Sequence, residues 1–81
     1  MIKHINFRVD EGINGEYLVQ GQSPETYNWE TIRTFGVNDK GVALGVADSM
    51  AKHESENHHN RIYTVFYHGY GLISYLNGTE F

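Results

Sequence analysis

The chain has 81 residues, no Cys, and a formal net charge of −4 from ten carboxylates against six Lys and Arg. That length suits one compact domain, and the lack of Cys excludes disulfide staples and thiolate zinc sites. The six cations, Lys3, Arg8, Arg33, Lys40, Lys52 and Arg61, are scattered, so the chain lacks the positive field of a nucleic-acid or anionic-membrane binder.

No apolar run approaches the roughly 20 residues that span a bilayer. Met1-Ile2-Lys3-His4 opens directly into a strand pattern, without the apolar stretch of a signal peptide. With no cysteine framework, these features point to a cytoplasmic protein. Aromatic residues make up 14% of the chain and six of them are Tyr, so side chains able to anchor a protein contact are abundant.

Ile2 to Val9 alternates, with Ile5, Phe7 and Val9 on one face and His4, Asn6 and Arg8 on the other, which predicts a half-buried strand. Asp10 to Gly15 has turn chemistry, and Glu16 to Gly21 predicts a second strand. A five-residue loop, Glu11 to Gly15, would pair Val9 with Tyr17 and Phe7 with Val19, placing the apolar groups together. Residues Trp29 to Val37 are open to two readings. Ser23-Pro24-Glu25 can start a helix that carries Trp29, Ile32 and Phe35. The wealth of Thr and aromatic residues instead favours a strand with Trp29, Thr31, Arg33, Phe35 and Val37 on one face.

The clearest helix runs from Asp39 to about Ser55, capped by Asn38 or Asp39, because Ala43, Val46, Ala47, Met50 and Ala51 recur at helical spacing. Gly41 and Gly45 each cost about 1 kcal/mol of propensity against Ala, a cost that close approach to a sheet would offset. Arg61 to His68 predicts a fourth strand with bulk on both faces, hence a central one. After Gly69-Tyr70-Gly71, Leu72 to Leu76 returns as a fifth. The expected fold is α+β: an antiparallel-dominated sheet of about five strands, in sequence order βββαββ, with one helix on one face.

Three places invite chemistry. His53, His58 and His59 lie among Glu54 and Glu56, residue types that zinc or nickel recruits. His53 and His58 are five apart, however, which separates them by about 140° around a helix, so a solvated helix end is the simpler reading. His4 and His68 are lone strand histidines, and no oriented partner is evident for general-base work. Neither Gly12-Ile13-Asn14-Gly15 nor Gly69-Tyr70-Gly71 precedes a helix, so neither is a phosphate loop. No cofactor and no catalytic residue is expected.

One helix leaves one face of the sheet uncovered. Either Tyr63, Val65 and Tyr67 or Ile62, Thr64 and Phe66 must point away from it. Tyr63, Tyr67, Tyr70 and Tyr75 concentrate in the last hairpin, and a Tyr-bearing open face suits a protein partner or a second copy of the chain. Glu54 and Glu56 would add electrostatic contacts.

The segment Thr34-Phe35-Gly36-Val37, the small-residue helix from Val42 to Lys52, and Arg61-Ile62-Tyr63-Thr64-Val65-Phe66 with its closing hairpin resemble small phage-encoded anti-CRISPR proteins directed at type I systems. The resemblance is architectural and covers about half the chain. It implies a non-enzymatic, stoichiometric inhibitor in the host cytoplasm that docks on a protein complex, either on the DNA-binding surface of the surveillance complex or on its recruited nuclease. Moderate acidity would suit a surface whose basic residues normally hold nucleic acid. The alternatives are a self-associating module, such as a homodimer, and a small metal- or ligand-binding protein using residues 53–59.

Overall fold

The computed structural model describes all 81 residues. The strands are β1 (Lys3–Glu11), β2 (Tyr17–Gln22), β3 (Trp29–Phe35), β4 (Arg61–Tyr67), β5 (Tyr70–Leu76) and β6 (Thr79–Glu80), with α1 (Lys40–Asn57) between β3 and β4. They form one sheet in the order β3-β2-β1-β4-β5-β6. The α+β class and the βββαββ order hold, with two refinements. The last turn, Asn77-Gly78, folds back into a sixth strand of two residues, where about five strands were expected. The sheet is mixed, because β1 and β4 run parallel while the other pairs are antiparallel. That parallel pair follows from α1, which carries the chain from the β3 edge back to the middle of the sheet as a crossover.

Residues Trp29 to Phe35 are a strand, and the helical reading of that segment is excluded. The expected single face is not kept. Gln20 pairs with Thr31 but its neighbour Val19 pairs with Arg33, so a bulge breaks the alternation. Trp29 and Thr31 therefore lie on the face opposite Arg33 and Phe35. β4 is central, as its two-sided bulk suggested.

The first hairpin is two residues out of the expected register: Val9 pairs with Val19, Phe7 with Gly21 and Glu11 with Tyr17. Side chains alternate with period two, so a slip of two leaves every apolar group on the same face. Burial could not distinguish the two registers. The turn decided between them. Glu16 C=O accepts from Gly12 N–H at 2.8 Å, closing a short loop that extends β1 to Glu11. The observed register also places Gly21 against the Phe7 ring, where a Cβ would come within 3.0 Å of the ring.

The core lies between α1 and one sheet face. It comprises Ile5, Phe7 and Val9 of β1, Val19 of β2, Tyr63 and Val65 of β4 and Tyr75 of β5, under Ala43, Ala47 and Ala51. Ala43, Ala47, Ala51 and Ser55 recur every four residues and are all fully buried. Small side chains along this stripe seat the helix close to the sheet. Ser55 is satisfied twice: its hydroxyl donates to Lys52 C=O at 2.8 Å and accepts Gly78 N–H at 2.9 Å. This links the end of α1 to the β5–β6 turn. Tyr75 OH donates to Asp48 from beneath the helix.

Gly41 and Gly45 do not mediate this approach. A Cβ at either would meet nothing within 4 Å, so both face open space. The seating comes from the alanines instead. Asp39 stands at the N-cap without a side-chain cap bond. At the other end, Asn57 Nδ2 donates to His53 C=O at 2.9 Å. No helix is long and apolar enough to cross a membrane.

Candidate functional site

The face of the sheet turned away from α1 is uncovered. Strand alternation and register place His4, Asn6, Arg8 and Asp10 of β1 there, with Leu18, Gln20 and Gln22 of β2 and Trp29, Thr31 and Thr34 of β3. On the other side of β1 it continues through Ile62, Thr64 and Phe66 of β4 and Ser74 and Leu76 of β5. Of the two alternatives for β4, the structure turns Tyr63 and Val65 inward and Ile62, Thr64 and Phe66 outward.

The outward residues divide by chemistry. On β4 and β5, Ile62 pairs with Leu76, and Thr64 and Ser74 share a hydroxyl hydrogen bond of 2.7 Å. Phe66 completes this apolar end. On β1 to β3 the side chains are polar and interlinked. Arg8 Nε donates to Gln20 Oε1 at 2.8 Å, and Gln20 Nε2 donates to Thr31 Oγ1 at 3.0 Å. The Arg8 guanidinium lies 4.0 Å from the centre of the Trp29 ring. Between the two ends runs a shallow groove lined by Asn6, Arg8, Asp10, Trp29, Phe66 and His68.

Charge is distributed unevenly. Arg8 is the sole Lys or Arg, and Asp10 the sole carboxylate, that a strand places on this face. Glu11, Glu30 and Glu80 project to the helix side, by their pairing with Tyr17, Gly21 and Tyr75. Asp48, Glu54 and Glu56 ride on α1. The net charge of −4 therefore resides on the helix side and the loops, while the open face is balanced.

The four tyrosines do not form a shared outward surface. Tyr63 and Tyr75 are core residues, 2% and 6% exposed, and cannot reach a partner of the folded domain. Arg61 Nη1 donates to the Tyr63 hydroxyl at 3.1 Å. The Asp48 hydrogen bond, with burial, pushes the Tyr75 phenol up to about 12. Tyr67 is half-buried beside Glu11, whose Oε1 accepts its hydroxyl at 3.1 Å. Desolvation and that bond raise its pKa, so it stays a neutral phenol. Tyr70 alone is freely exposed, at 75%. Alternation in the last hairpin was legible, but which side of β4 faces the helix was not. The signal available was Arg8 and the amides of Gln20 and Gln22, which require their face to be wet.

The histidine segment is also dispersed. His58 Nε2 is 3.2 Å from Glu54 Oε2, His53 Nε2 contacts Asn57 Nδ2, and His59 Nδ1 is 3.3 Å from Asn77 Oδ1. No three His, Asp or Glu side chains come together in a way that could hold a metal ion. Glu56 packs along the Gly78 turn. Glu54 and Glu56 are thus on the opposite side of the sheet from the open face. His68 does have a carboxylate neighbour, Glu11 Oε1 at 3.6 Å, and its ring lies 4.1 Å from that of Tyr67. The one hydroxyl this arrangement holds, that of Tyr67, donates to Glu11, so no activated nucleophile results. Compared with protein-family models, curated proteins and solved structures, the chain matches none.

Proposed function

We propose that this chain is a non-enzymatic protein-binding inhibitor that docks by its uncovered sheet face on a host protein complex and occludes it. The observation that carries this reading is the character of the face. It presents Ile62, Phe66, Leu76 and Trp29 around a polar centre, and it is free of the acidic excess that covers the rest of the molecule. Aromatic anchors beside oriented polar groups are what a protein interface core uses. The anchors are Phe66, Trp29, Ile62 and Leu76, in place of a four-tyrosine cluster, since Tyr67 pairs with Val9 and Tyr70 with Tyr67 on the helix side of the sheet.

Docked in this way, the domain turns α1 outward. Glu54 and Glu56 then face the surroundings of the target, where their charge repels an approaching nucleic-acid backbone. This agrees with the anti-CRISPR resemblance, in which a bound inhibitor keeps nucleic acid from a complex. Binding and occlusion need no catalytic group.

Phe66→Asp with Leu76→Asp tests the reading, since it places charge in the docking face while leaving the core under α1 intact. Loss of partner capture with an unchanged fold supports the proposal, and undiminished capture rejects it. Self-association is the second reading, favoured by β3: this edge strand is seven residues long with its outer hydrogen-bonding groups unpaired. Sedimentation of the wild type at several concentrations separates the two.

A further inference from the structure

We infer that Arg8 is a pre-oriented receptor for a single carboxylate, presented by an Asp or Glu side chain of the protein partner. Two contacts fix the guanidinium, and a third holds one of its partners. Its Nε donates to Gln20 Oε1 at 2.8 Å. Gln20 is itself held by donating to Thr31 Oγ1 at 3.0 Å. The Trp29 ring supports the plane at 4.0 Å. The relay crosses three strands, β1, β2 and β3, so the sheet itself sets the position of the group.

The consequence lies at the other edge of the guanidinium. Its two terminal nitrogens donate to no group of the chain, and no carboxylate comes within 4.0 Å, although the chain has ten. A planar fork held in place with its outer donors free matches the geometry of a carboxylate. An isolated surface arginine would lose much side-chain entropy on forming such a pair, and here the relay has already restricted it.

The surrounding groups define the ligand. Asp10 lines the same groove, with Oδ1 turned onto the Glu11 N–H at 2.9 Å and beyond ion-pair range of Arg8. His68, at the rim, is directed to Glu11. One guanidinium beside one carboxylate favours a singly charged group and disfavours a phosphate chain, which takes several cations. Trp29 and Phe66 wall the groove with apolar surface suited to the methylenes of a Glu side chain. That the carboxylate belongs to a protein rests on the function proposed above, whereas the clamp itself does not.

The test uses the whole chain and small probes, so its failure is distinct from failure of partner capture. The probes are N-acetylglutamate N-methylamide, its glutamine analogue, N-acetylalanine and inorganic phosphate, titrated at constant ionic strength. The readouts are the NMR shifts of Arg8 Nε–H and the Trp29 indole N–H. The glutamate probe should give saturable shifts at both sites and bind at least about threefold tighter than the glutamine analogue. Gln20→Ala, which keeps the cation and releases its orientation, should weaken the glutamate probe about threefold or more, and Arg8→Lys at least as much. Equal binding of the glutamate and glutamine probes, or binding unchanged in both variants, overturns the clamp. Tighter binding of N-acetylalanine or of phosphate overturns the side-chain carboxylate assignment.

Discussion

Gly45 lies exposed in the second turn of α1, and a methyl group there would meet no atom within 4 Å. Replacing it with Ala adds no clash and removes the glycine penalty of helix propensity, about 1 kcal/mol. Part of that gain comes from the unfolded chain, which loses conformational freedom. For a domain of this size the entropy of unfolding converts 1 kcal/mol into about 6 °C of melting temperature. Gly45→Ala should therefore raise the melting temperature by about 3–6 °C, read by circular dichroism at 222 nm, with the denaturant slope unchanged. Gly78 is the contrasting case. Its φ is +80°, and a Cβ there would approach Glu56 Cγ to 2.5 Å. Gly78→Ala should lower stability by about 1–2 kcal/mol. A Gly45→Ala variant less stable than wild type would refute the placement of that helix face in open solvent.

Three other outcomes follow from side-chain contacts. Ser55→Ala leaves Gly78 N–H without its partner and should cost about 1–3 kcal/mol by denaturant titration, more than any exposed Ser→Ala change in the chain. Tyr75, held up to about 12 by the Asp48 hydrogen bond, stabilises the fold fully below its unfolded value near 10. That contribution is lost as pH rises through 12, because the unfolded chain releases the proton first. Melting curves from pH 9 to 12 should thus fall less steeply for Tyr75→Phe than for wild type. Zinc calorimetry on wild type and on a His58→Ala/His59→Ala variant should give the same weak heats, since His53, His58 and His59 have separate partners.

Much of the fold was legible because periodicity carries it. Ile5, Phe7 and Val9 alternate, Ala43, Ala47 and Ala51 recur at helical spacing, and both patterns mark the buried sides directly. What escaped were choices that periodicity leaves degenerate. The β1–β2 register differs by two residues, a slip that conserves every face. The bulge opposite Val19 and Gln20 moves Arg33 away from Trp29, and no residue pattern in Trp29 to Phe35 signals it. The site was harder still. On β4, Tyr63 and Phe66 are both large aromatics, and Tyr63 is buried because Arg61 and the core satisfy its hydroxyl and ring. Counting tyrosines therefore points to the side of the strand that α1 covers. The Arg8–Gln20–Thr31 relay joins three strands, so it becomes visible only once their order is known.

The most direct test of the uncovered face as the functional surface is quantitative affinity capture from bacterial lysate with three baits: wild type, Phe66→Asp/Leu76→Asp, and Val42→Asp on the exposed helix side. The account predicts that wild type and Val42→Asp retain the same complex in equal stoichiometry while the sheet-face variant loses it with its fold intact. Equal retention by the sheet-face variant, or loss confined to Val42→Asp, would contradict it.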